Sequence, residues 1–335
     1  MDELINLLRM PTVSGSEYKY SEPLKKLMSK YCDSVYDDIF GNVYGICGNG
    51  KKKILIDAHV DIIGLMVTNI EKDGAVSFTT VGGVDDRILP SMNVVIHGRN
   101  DIKGVIGVPP PHLQSGDSST PYSTESLKID TGLTKEELSK IVETGDFVSF
   151  DSQYTELLNN RIAMNGLDNK VGLYCALEVA KHRIPDDITL VIVASVGEEI
   201  NLNGARIAAN SNEFELAVVI DVTHGTTHDS ADDYTFPLGS GPAIAVGPGL
   251  SEIYSDMLEN CALKSEIPYS IEVTNGHTGT NSLAYEVNRA GILCAVVSVP
   301  LRYMHTAYEV VEKTDISNTV KLLGEFIKSC SEVNL

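Results

Sequence analysis

Fully apolar runs separated by helical segments constrain this chain more than any other feature. Residues 189–196 form a continuous run rich in β-branched side chains, and residues 216–220 and 292–299 repeat the pattern. Strands of this composition are typical of a sheet that helices cover on both faces. A chain of 335 residues with 43% hydrophobic residues can bury such a core and still form a second, smaller domain. The predicted fold class is α/β, with a mixed, mostly parallel sheet sandwiched between helices.

A change in the sequence pattern between residues 67 and 157 indicates an inserted β-rich domain. Its short β-type runs, separated by glycines and prolines, are residues 75–80, 93–97, 104–108 and 146–150. One short helix is predicted after Thr134, where Glu137 completes a capping-box pattern. We therefore predict a discontinuous α/β domain, residues 1–66 and 158–335, that carries the insertion.

Charge and composition exclude several classes of partner. The formal net charge of −20 disfavours nucleic acids and anionic membranes, since both are bound through clustered Lys and Arg. No apolar run approaches the roughly 20 residues of a membrane span, and the first residues are acidic where a signal peptide would be basic. The six cysteines form no CxxC pair, which favours reduced thiols in a cytoplasmic protein.

A histidine and an aspartate follow the apolar run at residues 54–58. Strand alternation points His59 and Asp61 to the same side. A neutral imidazole binds a divalent cation well when a carboxylate holds its other ring nitrogen, so His59 is a candidate ligand and Asp61 its partner. On its own, a His-x-Asp pair is more often a satisfied polar pair at the end of a strand.

Other polar residues occupy comparable places. They are Glu198 and Glu199 after the run at 189–196, Asp221 after 216–220, His305 past 292–299, and Asp168 where a helix opens. Ligands bind at the carboxyl ends of strands in open α/β sheets, so these side chains are expected to converge. Each acid alone could cap a helix or end a strand in solvent, but crowded carboxylates repel unless a cation neutralises them. The sequence therefore predicts a metal site.

Spacing alone does not rank every candidate ligand. His224, His228, Asp229 and His277 also remain open. His97 and His112 lie in the β-rich insertion, where a structural role is the better interpretation.

Five ordered blocks resemble the M42 metallo-aminopeptidases, the glutamyl and tetrahedral aminopeptidase group of the co-catalytic zinc peptidases. The blocks are Ala58-His-Val-Asp61, Leu167-Asp-Asn-Lys-Val-Gly172, Ser195-Val-Gly-Glu-Glu199, Asp221-Val-Thr-His224 and Arg302-Tyr-Met-His305. The resemblance spans nearly the whole chain. It implies an aminopeptidase that hydrolyses the N-terminal residue of short peptides, with a cis peptide bond between Asp168 and Asn169.

The resemblance also implies the roles of the site residues. Two divalent metals, zinc with cobalt or manganese as alternatives, would share Asp168. His59 and Asp221 would complete one metal site, and Glu199 and His305 the other. The catalytic residues would be Glu198, as general base toward a water between the metals, and Asp61. The family assembles as dimers into a tetrahedral dodecamer, and residues 67–157 would make the dimer contact.

Three positions depart from the family pattern. Ile62 stands where Glu is common, Asn281 where Asp is common, and Asn169-Lys170 where Asp-Arg is usual. Every implied ligand and the base are present.

Two other functions are compatible with parts of the sequence. A glycoside hydrolase needs two carboxylates about 5 to 10 Å apart on facing surfaces, which adjacent Glu198 and Glu199 do not supply. The chain also has no Trp to stack on a sugar. A non-catalytic metal-binding homologue is the third hypothesis, which Ile62 and Asn281 would allow.

Overall fold

The computed structural model describes residues 1–109, 122–211, 213–230 and 234–332. Its α-helices are α1 (Asp2–Leu8), α2 (Ser21–Met28), α3 (Lys135–Leu138), α4 (Leu167–Ala180), α5 (Glu198–Asn201), α6 (Asn203–Ser211), α7 (Glu252–Lys264), α8 (Ser282–Glu286) and α9 (Lys313–Glu332). The strands before residue 150 are β1 (Ser34–Asp37), β2 (Val43–Cys47), β3 (Lys52–His59), β4 (Gly64–Ile70), β5 (Val76–Val81), β6 (Asn93–His97), β7 (Asp101–Gly107), β8 (Lys128–Asp130) and β9 (Phe147–Phe150). The later strands are β10 (Thr155–Leu157), β11 (Arg161–Met164), β12 (Ile188–Ser195), β13 (Leu216–His224), β14 (Ala243–Val246), β15 (Ser270–Val273), β16 (Leu293–Arg302) and β17 (Glu309–Glu312).

A large mixed sheet forms the centre of the molecule and confirms the predicted fold class. Its order is β1-β2-β12-β3-β13-β16-β17-β11-β10, and β14 joins β15 to the β16 side. The neighbours β12, β3, β13 and β16 are parallel, whereas the strands flanking them pair antiparallel. The carboxyl ends of the four parallel strands therefore meet at one edge of the sheet.

Helices cover both faces of this sheet, as the apolar strands predicted. On β3, Ile54 and Ile56 pack into the core formed with α1, α4 and α9. Leu55 between them packs on the opposite face, against the residues of α6 and α8. The period of two along β3 therefore places alternate side chains in two separate cores, and Asp57 and His59 continue the face of Leu55.

A closed barrel of six strands stands apart from the sheet. Its order is β4-β5-β8-β7-β6-β9, and it has its own apolar core. The capping box predicted at Thr134 is present, because Thr134 and Glu137 exchange side-chain and backbone hydrogen bonds at the start of α3. The strand β10 belongs to the large sheet through its pairing with β11.

No helix among the described residues is long and apolar enough to cross a membrane. The six cysteines are all buried free thiols.

Candidate metal centre

The candidate ligands lie along the edge where the parallel strands end. His59 is the last residue of β3. Val219 of β13 pairs with Asp57, which brings Asp221 level with His59. Glu198 and Glu199 begin α5 directly after β12.

Two further candidates reach this edge from other elements. Asp168 lies at the start of α4 in an extended conformation, and its peptide bond to Asn169 is cis, as the resemblance implies. His305 follows β16 with a φ of 60°. Segments distant in sequence therefore converge on one place.

The side chains form two groups that share Asp168. One contains His59, Asp168 and Asp221, and the other contains Asp168, Glu199 and His305. One carboxylate oxygen of Asp168 lies 3.2 Å from Nε2 of His59, and the other lies 3.4 Å from Nε2 of His305. The two oxygens of a single carboxylate thus face two different imidazoles. This is the arrangement of a bridging ligand.

The spacing of the donor atoms suits a small divalent cation. Two ligand atoms bound tetrahedrally to zinc at about 2.0 to 2.1 Å lie roughly 3.3 Å apart. The distance from His305 Nε2 to Glu199 is 3.3 Å, and the two distances to Asp168 are 3.2 and 3.4 Å. The distance from His59 Nε2 to Asp221 is 3.8 Å, somewhat wider. Imidazole nitrogen and carboxylate oxygen also match the donors that zinc, cobalt and manganese accept.

Negative charge exceeds positive charge around the two imidazoles. Burial raises the pKa of Glu199 well above its ordinary value, and the charge of Asp168 raises it further. Burial does the same to the pKa of Asp221, with Glu198 and Asp168 adding to the effect and His59 opposing it. Buried carboxylates that repel one another need a compensating cation, so the electrostatics and the donor geometry agree.

Glu198 lies beside the first group without belonging to either. Its carboxylate is 3.9 Å from Nε2 of His59, and its side chain keeps 12% of its surface exposed. Burial, reinforced by the charges of Asp168 and Asp61, raises its pKa to about 7 although His59 acts against the shift. The Glu198 carboxylate therefore faces the two groups while belonging to neither of them.

Asp61 is fully buried, and it contacts both His59 and the turn that carries the two glutamates. Nδ1 of His59 lies 3.1 Å from the backbone oxygen of Asp61 and 3.5 Å from its carboxylate. That carboxylate accepts hydrogen bonds from the backbone N–H groups of Glu198 and Glu199, at 3.1 and 3.2 Å, and from the hydroxyl of Ser14 at 2.7 Å. Asp61 consequently ties β3 to the turn that carries both glutamates.

Several buried charged residues around this centre could not be identified from the sequence. Glu17 accepts hydrogen bonds from the backbone N–H groups of Gly15 and Gly197, at 2.7 and 3.0 Å. Glu309 accepts one from the backbone N–H of Asp168 at 3.1 Å. Lys170 donates to the backbone oxygen of Met10, and burial lowers its pKa to about 7. The position of Glu309 four residues after His305 was the one local signal.

Two of the departures from the family pattern lie outside both candidate metal groups. Asn281 donates hydrogen bonds to Ser195 at 2.9 Å and to the buried Asp57 at 3.4 Å, and Tyr285 donates to Asp57 at 2.5 Å. Burial raises the pKa of Asp57 to about 6, against the effect of these donors. A neutral amide at 281 thus avoids a second carboxylate beside Asp57. Ile62 is buried.

The remaining candidate residues lie elsewhere among the described residues. His224 and His277 are exposed, and His228 and Asp229 form an exposed pair with each other at 2.9 Å. His97 contacts Asp101 and Ser149 in the barrel. His112 lies outside the described residues.

Comparisons with known proteins match this chain to one family. Residues 41–322 match the M42 glutamyl aminopeptidase family. The lysyl aminopeptidase of Pyrococcus furiosus is 32% identical over 94% of this chain and 93% of its own length. Among solved structures, the aminopeptidase APDkam598 of Desulfurococcus kamchatkensis has a TM-score of 0.91 at 32% identity, covering 98% of this chain and 94% of that one.

A third relative has a described assembly. The TET1 peptidase of Pyrococcus horikoshii, which can assemble into a tetrahedron or a large octahedral shell, has a TM-score of 0.86 at 29% identity, covering 97% of this chain and 98% of that one. The matches extend over nearly the full length of both partners, so they include the candidate metal centre and the barrel. This chain belongs to the M42 glutamyl aminopeptidase family and is an aminopeptidase.

Proposed function

We propose that the protein is a dinuclear metal-dependent aminopeptidase that releases the N-terminal residue of short peptides. The observation that carries this proposal is the position of Asp168, whose two carboxylate oxygens face His59 and His305 separately. M42 peptidases are metal-dependent. Asp168 would bridge two cations, His59 and Asp221 would complete one site, and Glu199 and His305 the other.

The chain's own residues would supply the proton transfer. When bound, the cations polarise the scissile carbonyl and lower the pKa of the attacking water. Glu198, beside His59 and free of the two ligand groups, would take the proton of that water and deliver it to the departing amine. Asp61 would orient His59 and hold the turn of Glu198 and Glu199 through their backbone N–H groups.

The alternative chemistries have less support. Glu199 is turned toward His305, at 3.3 Å, so Glu198 and Glu199 do not flank an open cleft as the two carboxylates of a glycoside hydrolase do. A non-catalytic metal-binding homologue would keep the ligands and lack turnover. Activity measurements distinguish this third hypothesis from the first.

We also infer a homo-oligomer, because the similar TET1 peptidase assembles into a closed shell. The finer proposal is a tetrahedral dodecamer of dimers whose dimer contact is made by residues 67–157. The six buried free thiols support a cytoplasmic location.

The decisive experiment is hydrolysis of aminoacyl-p-nitroanilides of Glu, Asp, Leu, Lys and Ala by the purified protein. The protein is assayed as prepared, after removal of metal by a chelator, and after addition of zinc, cobalt or manganese. Activity that disappears with chelation and returns with metal supports the proposal and identifies the preferred side chain. Bound metal without turnover on this panel or on short peptides would favour the non-catalytic homologue, and chelator-resistant activity on a cellulose-like polymer would favour the glycosidase.

A further inference from the structure

We propose that Glu17 is a positioning residue for the base Glu198, a role that rests on the proposed function. Glu17 lies in the short 3₁₀ helix Glu17–Tyr20, far from the centre in sequence, and only 4% of its surface is exposed. It belongs to neither candidate metal group. Burying a carboxylate in this way is unfavourable unless hydrogen bonds or a charged partner compensate for the lost contact with water.

The two oxygens of Glu17 hold two different segments. One accepts the N–H of Gly15 at 2.7 Å, which folds the carboxylate back onto its own loop. The other accepts the N–H of Gly197 at 3.0 Å, a buried bond between residues 180 positions apart. Glu17 therefore fixes the position of Gly197, the residue directly before the base, relative to the N-terminal loop.

Asp61 extends the same arrangement to the next two residues. Its carboxylate accepts the N–H groups of Glu198 and Glu199. Together, Glu17 and Asp61 bind three consecutive backbone N–H groups of the turn after β12. Those groups have no partner within the helix that begins at Glu198, because the first N–H groups of a helix lack upstream carbonyls. The two acids thus determine where this turn, and with it the side chain of Glu198, is held.

Contacts with the barrel and with the end of β3 hold the N-terminal loop that carries Glu17 in place. Gly15 has a φ of +93°, and an added Cβ there would meet the ring of Phe147 in the barrel at 3.2 Å. Val13 in the same loop forms a β-bridge with Ile62, next to Asp61. The loop that carries Glu17 is therefore anchored to the same strand end as Asp61. This anchoring fixes the positions of the two carboxylates relative to each other.

The chemical requirement at position 17 is a group that accepts at both oxygens. A carboxylate is acceptor-only, whereas the amide of Gln has one acceptor and one donor. Glu17→Gln keeps the size of the side chain and sets an NH₂ group against the N–H of either Gly15 or Gly197. The variant is therefore a specific probe of the hydrogen bonds, with Glu22→Gln as its control, since Glu22 is 84% exposed on the adjacent helix α2.

The experiment measures kcat and KM of Glu17→Gln at saturating metal on the best p-nitroanilide substrate, together with metal content. We expect kcat to fall by about tenfold or more because a small displacement of a reacting group is costly, with KM nearly unchanged and metal content preserved. Glu22→Gln should match the wild type. An unchanged kcat, or a loss that added metal fully restores, would overturn the proposal. If Glu17→Gln does not fold, Glu17→Asp retains two acceptors with a shorter reach and takes the same tests.

A double variant separates positioning from a purely structural role. If Glu17 acts through Glu198, then Glu17→Gln should lower the residual rate of Glu198→Gln far less than it lowers the wild-type rate. Equal losses in both backgrounds would show that Glu17 acts independently of the base. Failure of the proposed function would look different, since the wild-type protein would then show no aminopeptidase activity that depends on added metal.

Discussion

Two clusters of histidine and acid in this molecule use the same residue types to different ends. In the barrel, His97 Nδ1 lies 3.0 Å from Asp101, and Nε2 lies 2.8 Å from the hydroxyl of Ser149. Both ring nitrogens have partners, and the side chain of Asp101 is 69% exposed to solvent. At the edge of the large sheet, His59 instead faces the buried carboxylates of Asp168 and Asp221.

The difference lies in charge balance and burial. The barrel cluster satisfies its own hydrogen bonds, and water screens its single acid. The cluster at the sheet edge leaves several carboxylates crowded together in a buried space, a state that a cation would relieve. A candidate metal site is therefore indicated by an excess of buried negative charge. A histidine next to an acid does not indicate one by itself.

The largest effect is expected from Glu198→Gln. Removing the proposed general base should lower kcat by about 10³-fold, within the range for proton transfer by a positioned side chain. Metal content should remain that of the wild type, because Glu198 belongs to neither ligand group. The checks are steady-state kinetics and elemental analysis of the same preparation. Retention of more than a tenth of wild-type activity would remove Glu198 from its proposed role.

A pair of histidine variants compares the two clusters directly. His305→Ala should lose about half of the bound metal and lower kcat/KM by more than about 100-fold, beyond the loss usual for residues that only support a ligand. His97→Ala should retain its metal and its activity. Elemental analysis after dialysis against buffered metal measures both. Equal metal loss in the two variants would abolish the distinction drawn between the clusters.

Without metal, the buried carboxyl groups at the sheet edge should make the thermal stability of the protein depend on pH. Burial raises the pKa of Glu198, and that of Glu17, to about 7 in the absence of a cation. A carboxyl whose folded-state pKa is raised contributes stability that is fully present below its unfolded pKa of about 4.3. That contribution is lost as the pH rises through about 7.

The thermal midpoint of chelated protein should accordingly fall between about pH 4.3 and 7, the interval between the unfolded and the folded pKa. The gap to metal-loaded protein should widen over the same interval. Thermal unfolding followed by circular dichroism, with and without chelator, gives both curves. Parallel curves would mean that bound metal does not neutralise these buried acids.

Much of the fold could be predicted from the sequence because its signals are local. The apolar runs predicted the central strands, and the capping box at Thr134 predicted the start of α3. The strands β14 and β15 could not be predicted, since each is short and is defined by a partner distant in sequence. Pairing of that kind leaves no local periodicity.

The candidate site divides in the same way. Residues at the ends of strong strands, such as His59 and Asp221, could be identified from position and from the family blocks. Glu17 could not, because its partner Gly197 is 180 residues away and a Glu in an N-terminal helix is ordinarily solvent-exposed. The role of Asp57 could not be predicted either. Its contact with Asn281 joins segments 224 residues apart.

The smallest effects are expected within the barrel cluster. His97→Ala leaves the buried hydroxyl of Ser149 without this partner, so the free energy of unfolding should fall by about 1 to 3 kcal/mol. Asp101→Asn removes an exposed charge and should change it by at most about 1 kcal/mol. Urea denaturation measures both, and kcat/KM should stay within about twofold of wild type because a satisfied cluster apart from the metal centre supplies no group to the reaction. If His97→Ala instead lowered kcat/KM tenfold at unchanged stability, the barrel cluster would be coupled to the candidate metal centre. Complete hydrogen bonding of both ring nitrogens would then not be enough to show that a histidine has no part in the reaction.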